Sequence, residues 1–262
     1  MLFAIDIGNS NIHIGFFEKD KLKESFSISS TTDRSVDEYK ITLKLLLGEY
    51  GCSLEQVEGV IIGSVVPSIT GKIKKAVESL TSAPVTIIGP GVKTGFHIKI
   101  DDPTQLGADL AANTASTIEE VGYPAIIVDF GTATTVSAID KEKAYVGCYI
   151  MPGIQMSLDA LHSTELLPGV FADKAVPIIG KNSADSMRAG VVFGGIMAAE
   201  GFIEAYKREL GLPKKTPIVV TGGYAKDIIC YFKPEVTYIE DLTLKGLCAI
   251  YKTNKATKKS KR

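Results

Sequence analysis

Two aspartates in this sequence stand just ahead of glycine turns, and the two turns share one pattern. The first segment is Asp6-Ile7-Gly8-Asn9-Ser10-Asn11-Ile12-His13, and the second, 123 residues on, is Asp129-Phe130-Gly131-Thr132-Ala133-Thr134-Thr135. Each reads as an apolar strand ending in Asp, a Gly turn with small hydroxyl or amide residues, and a second alternating strand. Glycine lets the backbone approach a bulky anion, and amide and hydroxyl donors beside it can bind phosphate oxygens. An ionised Asp repels phosphate, so its useful partner is a cation, which for Asp6 points to Mg²⁺ through water. One such turn is a weak signal; two at half a chain length are far more specific. A third carboxylate, Asp109, opens a helical pattern through Leu110, Ala111, Ala112 and Ala115. The helix dipole favours an anion there, able to accept a hydrogen bond from an attacking hydroxyl, although an ordinary first-turn Asp fits the same pattern. Thr221-Gly222-Gly223 follows the apolar run Pro217 to Val220 and suits either close passage of a flat ligand such as adenosine or a plain strand-to-helix turn. Gly89-Pro90-Gly91-Val92-Lys93-Thr94-Gly95 is not a P-loop, because Val92 stands where that motif needs Gly.

The elements that must hold these residues follow from hydrophobic period. After the first turn, Leu22, Phe26 and Ile28 mark a third strand. Ser35 and Glu38 then form a capping box for a helix ending at Gly48, with Tyr39, Leu43, Leu46 and Leu47 on one face. A strand at Val60 to Ile62, a helix after Pro67 and a strand at Val85 to Ile88 complete the first half. After the second turn come a strand at Tyr145 to Ile150, helices from Ile154 and Ala184, and a strand at Ile218 to Val220. The pattern predicts two βββαβαβα domains, 1–118 and 119–251, facing one another across a central cleft, with 252–262 as a basic disordered tail. Gly190, Gly194, Gly195 and Gly201 punctuate the helix from Ala184 to Leu210, which suggests close packing, at a dimer interface or against the chain's own sheet.

Composition narrows the class. With 262 residues, 45% hydrophobic content, 23% charged residues and a formal charge of −1, the chain is an ordinary globular one, long enough for two cores. No apolar run approaches the ~18 residues of a membrane span and no leader precedes the first strand, so a cytoplasmic location is expected, with no membrane partner. Cys52, Cys148, Cys230 and Cys248 form no CxxC knuckle and are expected to be buried or incidental thiols; His13, His97 and His162 form no zinc pair. Six of the basic residues lie in 252–262, leaving the rest of the chain at −7. Without interleaved aromatics, this run reads as a solvated terminus and nucleic acid is an unlikely partner.

Asp6-x-Gly8-Asn9-Ser10-Asn11, Gly107-Ala108-Asp109, the Asp129 segment, Pro152-Gly153 and Thr221-Gly222-Gly223, in this order and spacing, resemble the type III pantothenate kinases of the acetate and sugar kinase, Hsp70 and actin superfamily. The likeness runs from Met1 to about Tyr251 and includes Gly89 to Gly95 and Leu242 to Leu247. It implies an α/β fold of duplicated ribonuclease H-like (actin-like ATPase) domains, with mixed five-stranded sheets flanked by helices. It also implies ATP-dependent phosphorylation of the pantothenate 4′-hydroxyl, the first step toward coenzyme A. By this resemblance Asp6, Ile7, Gly8, Asn9, Ser10, Asn11, Ile12 and His13 wrap the ATP phosphates, Gly131 and Thr132 contact ATP, and Thr221, Gly222 and Gly223 belong to its adenosine site. Asp129 holds a monovalent cation, K⁺ or NH₄⁺, and Asp109 accepts the proton. Gly107, Ala108, Asp109, Leu110 and Ser183 contact pantothenate, in a homodimer whose partner subunit completes each pocket. The family usually has Arg where this chain has Leu110, and Leu cannot bind a carboxylate. Lys93, Lys99, and His162 of the partner subunit, are candidates to replace it. Two other readings stay open: a weakly active or altered-substrate paralogue, and a nucleotide-binding regulator without catalysis.

Overall fold

The computed structural model describes residues 1–53, 56–172 and 176–259. The chain forms two compact units. The first takes Met1–Gly95, Asp102–Glu119 and the segment from Leu242 onward; the second takes Phe96–Asp101 and Glu120–Asp241.

The first unit holds strands β1 (Leu2–Ile7), β2 (Asn11–Glu18) and β3 (Lys21–Ser29), helix α1 (Val36–Glu49), strand β4 (Gly59–Ser64), helix α2 (Pro67–Glu78) and strand β5 (Val85–Ile87). Its sheet order is β3-β2-β1-β4-β5, with β1, β4 and β5 parallel and β2 antiparallel to its neighbours. The predicted capping box is present: Glu38 N donates to Ser35 Oγ at 3.2 Å and Ser35 N to Glu38 Oε2 at 2.6 Å. Pro67 starts α2, where a missing N–H costs nothing. Phe3, Ile5, Ile7, Ile12 and Ile14 point to one face of the sheet and are fully buried with Tyr39, Leu43 and Leu47 of α1 and Ile69, Ile73 and Val77 of α2.

The second unit begins with β6 (His97–Ile98). The chain then makes α3 (Ala108–Glu120) before β7 (Ala125–Phe130), β8 (Ala133–Ile139), β9 (Ala144–Pro152), α4 (Ile154–His162), α5 (Ser183–Glu209), β10 (Ile218–Thr221), α6 (Ala225–Ile228) and β11 (Thr237–Tyr238). The order β11-β10-β7-β8-β9-β6 makes this a six-stranded sheet, not the expected five-stranded one. The extra edge is β6, a two-residue parallel pairing with β9 that is too short to leave a period in the sequence. α5 is long and apolar enough, by length and composition alone, to cross a membrane. Its Met187, Val192, Ile196, Ala199 and Ile203 are packed into the core of this unit. All four cysteines are free thiols; Cys248 is buried and Cys230 exposed.

The last helix, α7 (Leu242–Lys259), departs furthest from expectation. Residues 242–251 were expected to finish the second domain and 252–262 to be a disordered tail. Instead α7 belongs to the first unit and packs on β1, β4 and β2. A sheet of parallel strands needs cover on both faces, and α7 supplies it. Leu244 and Leu247 lie over Gly15 and Gly63, 3.1 Å and 2.9 Å from where a Cβ on each glycine would stand. The helix continues through the basic run to Lys259. Lys252 Nζ lies 3.5 Å from Asp20 and 3.9 Å from Glu119, and Lys255 Nζ lies 3.2 Å from Glu58. Residues 260–262 of the expected tail lie outside the described residues.

α7 also meets α3 at unusually short range. A Cβ on Gly246 would collide with the carbonyl oxygen and carbon of Ala112, and Thr243 Oγ1 donates to the buried Asn113 Oδ1 at 2.8 Å. Since the colliding atoms are backbone, no side-chain rotation relieves the clash. Gly246→Ala is expected to destabilise the chain by about 2 kcal/mol or more despite its better helix propensity. Chemical denaturation of the two proteins checks this, and an unchanged or higher midpoint would contradict the packing.

Candidate active site

In the first unit the β1–β2 hairpin pairs Asp6 with His13 and Ile7 with Ile12. Strand alternation sends the isoleucines into the core and puts Asp6 and His13 on the opposite face. The turn is shaped by Gly8 N donating to Asn11 O at 3.0 Å. It is pinned from the end of β3, where Ser30 Oγ donates to Gly8 O at 2.5 Å and Ser30 N to Ser10 O at 2.9 Å. Asn9, Ser10, Asn11 and His13 are exposed, which puts a run of polar residues at the surface of this hairpin.

On its other side Asp6 is level with Gly63 of β4. The Ala108 methyl lies 3.6 Å from the position of a Cβ on Gly63, so the start of α3 and Asp6 flank the same glycine. Gly63 was not singled out from sequence; the one cue was a glycine at the end of an apolar strand. Asp109 occupies the first turn of α3, half-buried, with Leu110 N donating to its Oδ1 at 2.8 Å. Burial pushes its carboxyl above the usual carboxylate range, against the lowering effect of the backbone donors at Leu110 and Asp109 itself. Leu110, also half-buried, adds no charge.

In the second unit the hairpin of β7 and β8 places Asp129 opposite Thr135, and β10 places Thr221 beside Asp129. Two glycines close on this carboxylate. Its Oδ1 lies 3.3 Å from where a Cβ on Gly131 would stand and 2.6 Å from that of Gly222. Gly222 has φ +101°, and a Cβ there would also overlap the backbone of Phe130, so only glycine allows this turn to pass over the strand end. Gly153, capping α4, packs against the carbonyl oxygens of Gly131 and Thr132 and donates its N–H to Thr132 O at 3.1 Å. Asp129, Gly131, Thr132, Gly153, Thr221 and Gly222 are thus gathered at one end of this sheet, with Gly223 exposed beside them. Pro152-Gly153 was visible only as a motif; the carbonyl packing gives it a reason.

Ser183 opens α5 and is exposed. It lines a cavity of about 570 Å³ together with Leu161, Leu167, Gly180, Lys181, Asn182, Ser186 and Met187. Of the basic residues proposed to replace the family Arg, Lys99 is committed elsewhere, to Asp140 at 3.0 Å and to Glu142. Lys93 has its backbone clamped by the Asn254 side chain, with N···Oδ1 3.0 Å and Nδ2···O 2.9 Å. His162 uses Nδ1 on Leu167 O at 3.0 Å.

A family model for type III pantothenate kinase matches residues 2–205. The type III pantothenate kinase of Halalkalibacterium halodurans is 36% identical over 256 residues, covering 97% of this chain and all of that protein. The chain belongs to the type III pantothenate kinase family. Solved structures with the same fold include a Campylobacter jejuni protein described as a Baf family transcriptional activator (TM-score 0.59, 18% identical, 97% of this chain and 99% of that one). Another is the activator of 2-hydroxyisocaproyl-CoA dehydratase from Clostridium difficile with bound ADPNP (TM-score 0.55, 12% identical, 98% and 97%). At these identities the likeness establishes the fold, that of the actin-like ATPases with helices flanking mixed sheets, as the sequence implied.

The desolvated carboxyl of this pantothenate kinase family member has a consequence for stability. A folded-state pKa raised by burial means that Asp109 costs no stability below the unfolded carboxylate pKa; the cost grows as pH rises through the folded value and is complete above it. Asp109→Asn has no charge to desolvate and keeps an oxygen for the Leu110 N–H. It is expected to raise the thermal midpoint at pH 7, with the gain vanishing near about pH 3. A midpoint difference independent of pH would contradict the assignment.

Proposed function

We propose that this chain phosphorylates the 4′-hydroxyl of pantothenate with ATP, the first step toward coenzyme A, using Asp109 as the proton acceptor. The activity follows from family membership over nearly the whole chain. The role of Asp109 is supported by one observation above all: a half-buried carboxyl, its pKa raised by burial, at the start of α3 and one residue from Ala108, which flanks Gly63 with Asp6. In the step, the 4′ oxygen forms a bond to the γ-phosphorus as the bond from that phosphorus to the bridging oxygen breaks. ADP leaves, and the hydroxyl proton passes to Asp109. A carboxyl pushed above its ordinary range is a stronger base than an ordinary one once ionised.

The remaining roles are assigned on the same reading. Asp6 to His13 wrap the ATP phosphates, with the pinned Gly8 turn offering exposed amide, hydroxyl and imidazole groups. Gly131 and Thr132 contact ATP from the second hairpin, and Thr221, Gly222 and Gly223 form the adenosine turn. Gly107, Ala108, Asp109, Leu110 and Ser183 hold pantothenate. The donor chemistry fits the two cations. The Asp129 carboxylate, close to Gly131 and Gly222, offers a hard oxygen suited to K⁺ or NH₄⁺. The single carboxylate of Asp6 suits Mg²⁺, which keeps several waters and shares substrate phosphates. Bound there, such ions offset the negative charge of the phosphoryl group in transfer.

A homodimer is proposed from the outer face of α5, where Ser186, Gly190, Gly194, Met197 and Gly201 are exposed at helical spacing with Phe202 beside them. Small residues three and four apart let a second helix approach closely, and the neighbouring exposed Met156 and Leu161 of α4 extend the apolar surface. A cytoplasmic location fits a reaction that consumes ATP.

The test is phosphate transfer from ATP to pantothenate with Mg²⁺, in K⁺, NH₄⁺ or Na⁺ salts. Turnover is expected in K⁺ or NH₄⁺, and Asp109→Asn is expected to lose ~10²–10⁴-fold in kcat. Transfer no faster than that of the Asn variant in every salt would refute the reading.

A further inference from the structure

Each peptide of a tight turn can be set in two ways, with its carbonyl or its N–H toward a ligand, and only the second suits an anion. In the β1–β2 turn that choice is governed from outside the hairpin. Ser30, directly after β3, donates its Oγ to Gly8 O at 2.5 Å and its backbone N–H to Ser10 O at 2.9 Å. A trans peptide holds its C=O and the following N–H in opposite directions. With the carbonyls of Gly8 and Ser10 both drawn to Ser30, the N–H groups of Asn9 and Asn11 are turned away from it. Both asparagines are exposed, and among the described residues nothing accepts the Asn9 N–H.

Ser30 is itself held from the core of the first unit. The carbonyl of the next residue, Thr31, accepts from the hydroxyl of the fully buried Tyr39 of α1 at 2.8 Å. Lys72 of α2 donates to Thr32 O at 2.6 Å and to Arg34 O at 3.0 Å. Two helices thus fix the segment that fixes the turn, and the Ser30 hydroxyl acts as a strut anchored outside the hairpin's own residues.

We propose that Ser30 is a positioning residue for nucleotide phosphate: through Gly8 and Ser10 it keeps the Asn9 and Asn11 N–H groups aimed as donors to phosphate oxygens. The proposal rests on the reading of the Gly8 turn as the site of the ATP phosphates. Ser30 touches no phosphate itself. Gly8 has no Cβ to resist rotation, so without the Oγ bond the Gly8–Asn9 peptide turns over readily. A carbonyl oxygen then stands where a donor is needed, and it repels the anion.

The experiment compares wild type with Ser30→Ala, Ser30→Thr and a structural control, Ser79→Ala, which removes a hydroxyl bond of the same kind, to Ala76 O at 2.7 Å, at the far end of α2. Ser30→Ala is expected to raise KM for ATP about five- to fifty-fold and to weaken ADP as a competitor by a similar factor. KM for pantothenate at saturating ATP, and inhibition by adenosine, which carries no phosphate, are expected to shift by less than about two-fold. Ser30→Thr keeps the hydroxyl and is expected to recover most of the ATP affinity. Ser79→Ala is expected to lower the thermal midpoint without moving KM for ATP. An unchanged KM for ATP in Ser30→Ala, an equal loss for ATP and adenosine, or the same rise in Ser79→Ala would overturn the proposal. Calorimetric titration with ADP and Mg²⁺, with no acceptor present, separates it from the catalytic reading. A wild type that binds ADP in a manner dependent on the Ser30 hydroxyl but transfers no phosphate to pantothenate upholds the proposal and sinks the kinase assignment. Phosphate transfer with ADP binding indifferent to Ser30 sinks the proposal and leaves the kinase standing.

Discussion

The contact on which the first unit's site depends is the backbone approach of α7 to α3 at Gly246 and Ala112. With no side chain between them, the two helices touch at main-chain distance, and the Thr243–Asn113 hydrogen bond satisfies a polar pair at the same buried contact. α7 is in turn seated on the sheet by Leu244 and Leu247, which fill the space left by Gly15 and Gly63. Through this stack the first turn of α3 is brought to the carboxyl end of β1 and β4, where Ala108 meets Gly63 and Asp109 follows one residue later. Four small residues, Gly15, Gly63, Ala112 and Gly246, thus decide the position of one carboxylate.

The second unit solves a similar problem with turns rather than helices. Asp129 ends a strand whose neighbours, β8 and β10, each deliver a glycine to its carboxylate. Gly153 adds the packed carbonyls of Gly131 and Thr132. The two hairpins are alike in sequence, yet the hardware around them differs: Ser30 pins the first from β3, while the second is closed by Gly153 and Gly222.

Much of this was legible beforehand because local signals were strong. The Ser35–Glu38 capping box, Pro67 at a helix start and the alternation of Ile5, Ile7, Ile12 and Ile14 each name a conformation within a few residues, and the structure realises them. The duplicated Asp-x-Gly hairpins gave the halves. What the sequence could not show was partnership. A two-residue edge strand such as His97–Ile98 has no period, so the six-stranded sheet was hidden. The lysines of 252–259 read as a solvated tail because net charge is visible in a sequence, whereas the apolar face that carries the helix, Leu244, Leu247 and Ile250, needs a known sheet to cover.

The sequence by itself determined the chemistry available: two phosphate-type turns headed by Asp6 and Asp129, a first-turn carboxylate at Asp109, a hydroxyl at Ser183 and an uncharged Leu110. Residue types and short spacings set these, since turn formation and capping are decided by neighbours in the chain. Only the tertiary structure decided that Asp109 is desolvated, that Asp129 is enclosed by Gly131 and Gly222, that Lys99 is already neutralised and that Lys181 shares a cavity with Ser183. Burial and charge partnership depend on residues tens to more than a hundred positions apart, and only packing brings those together.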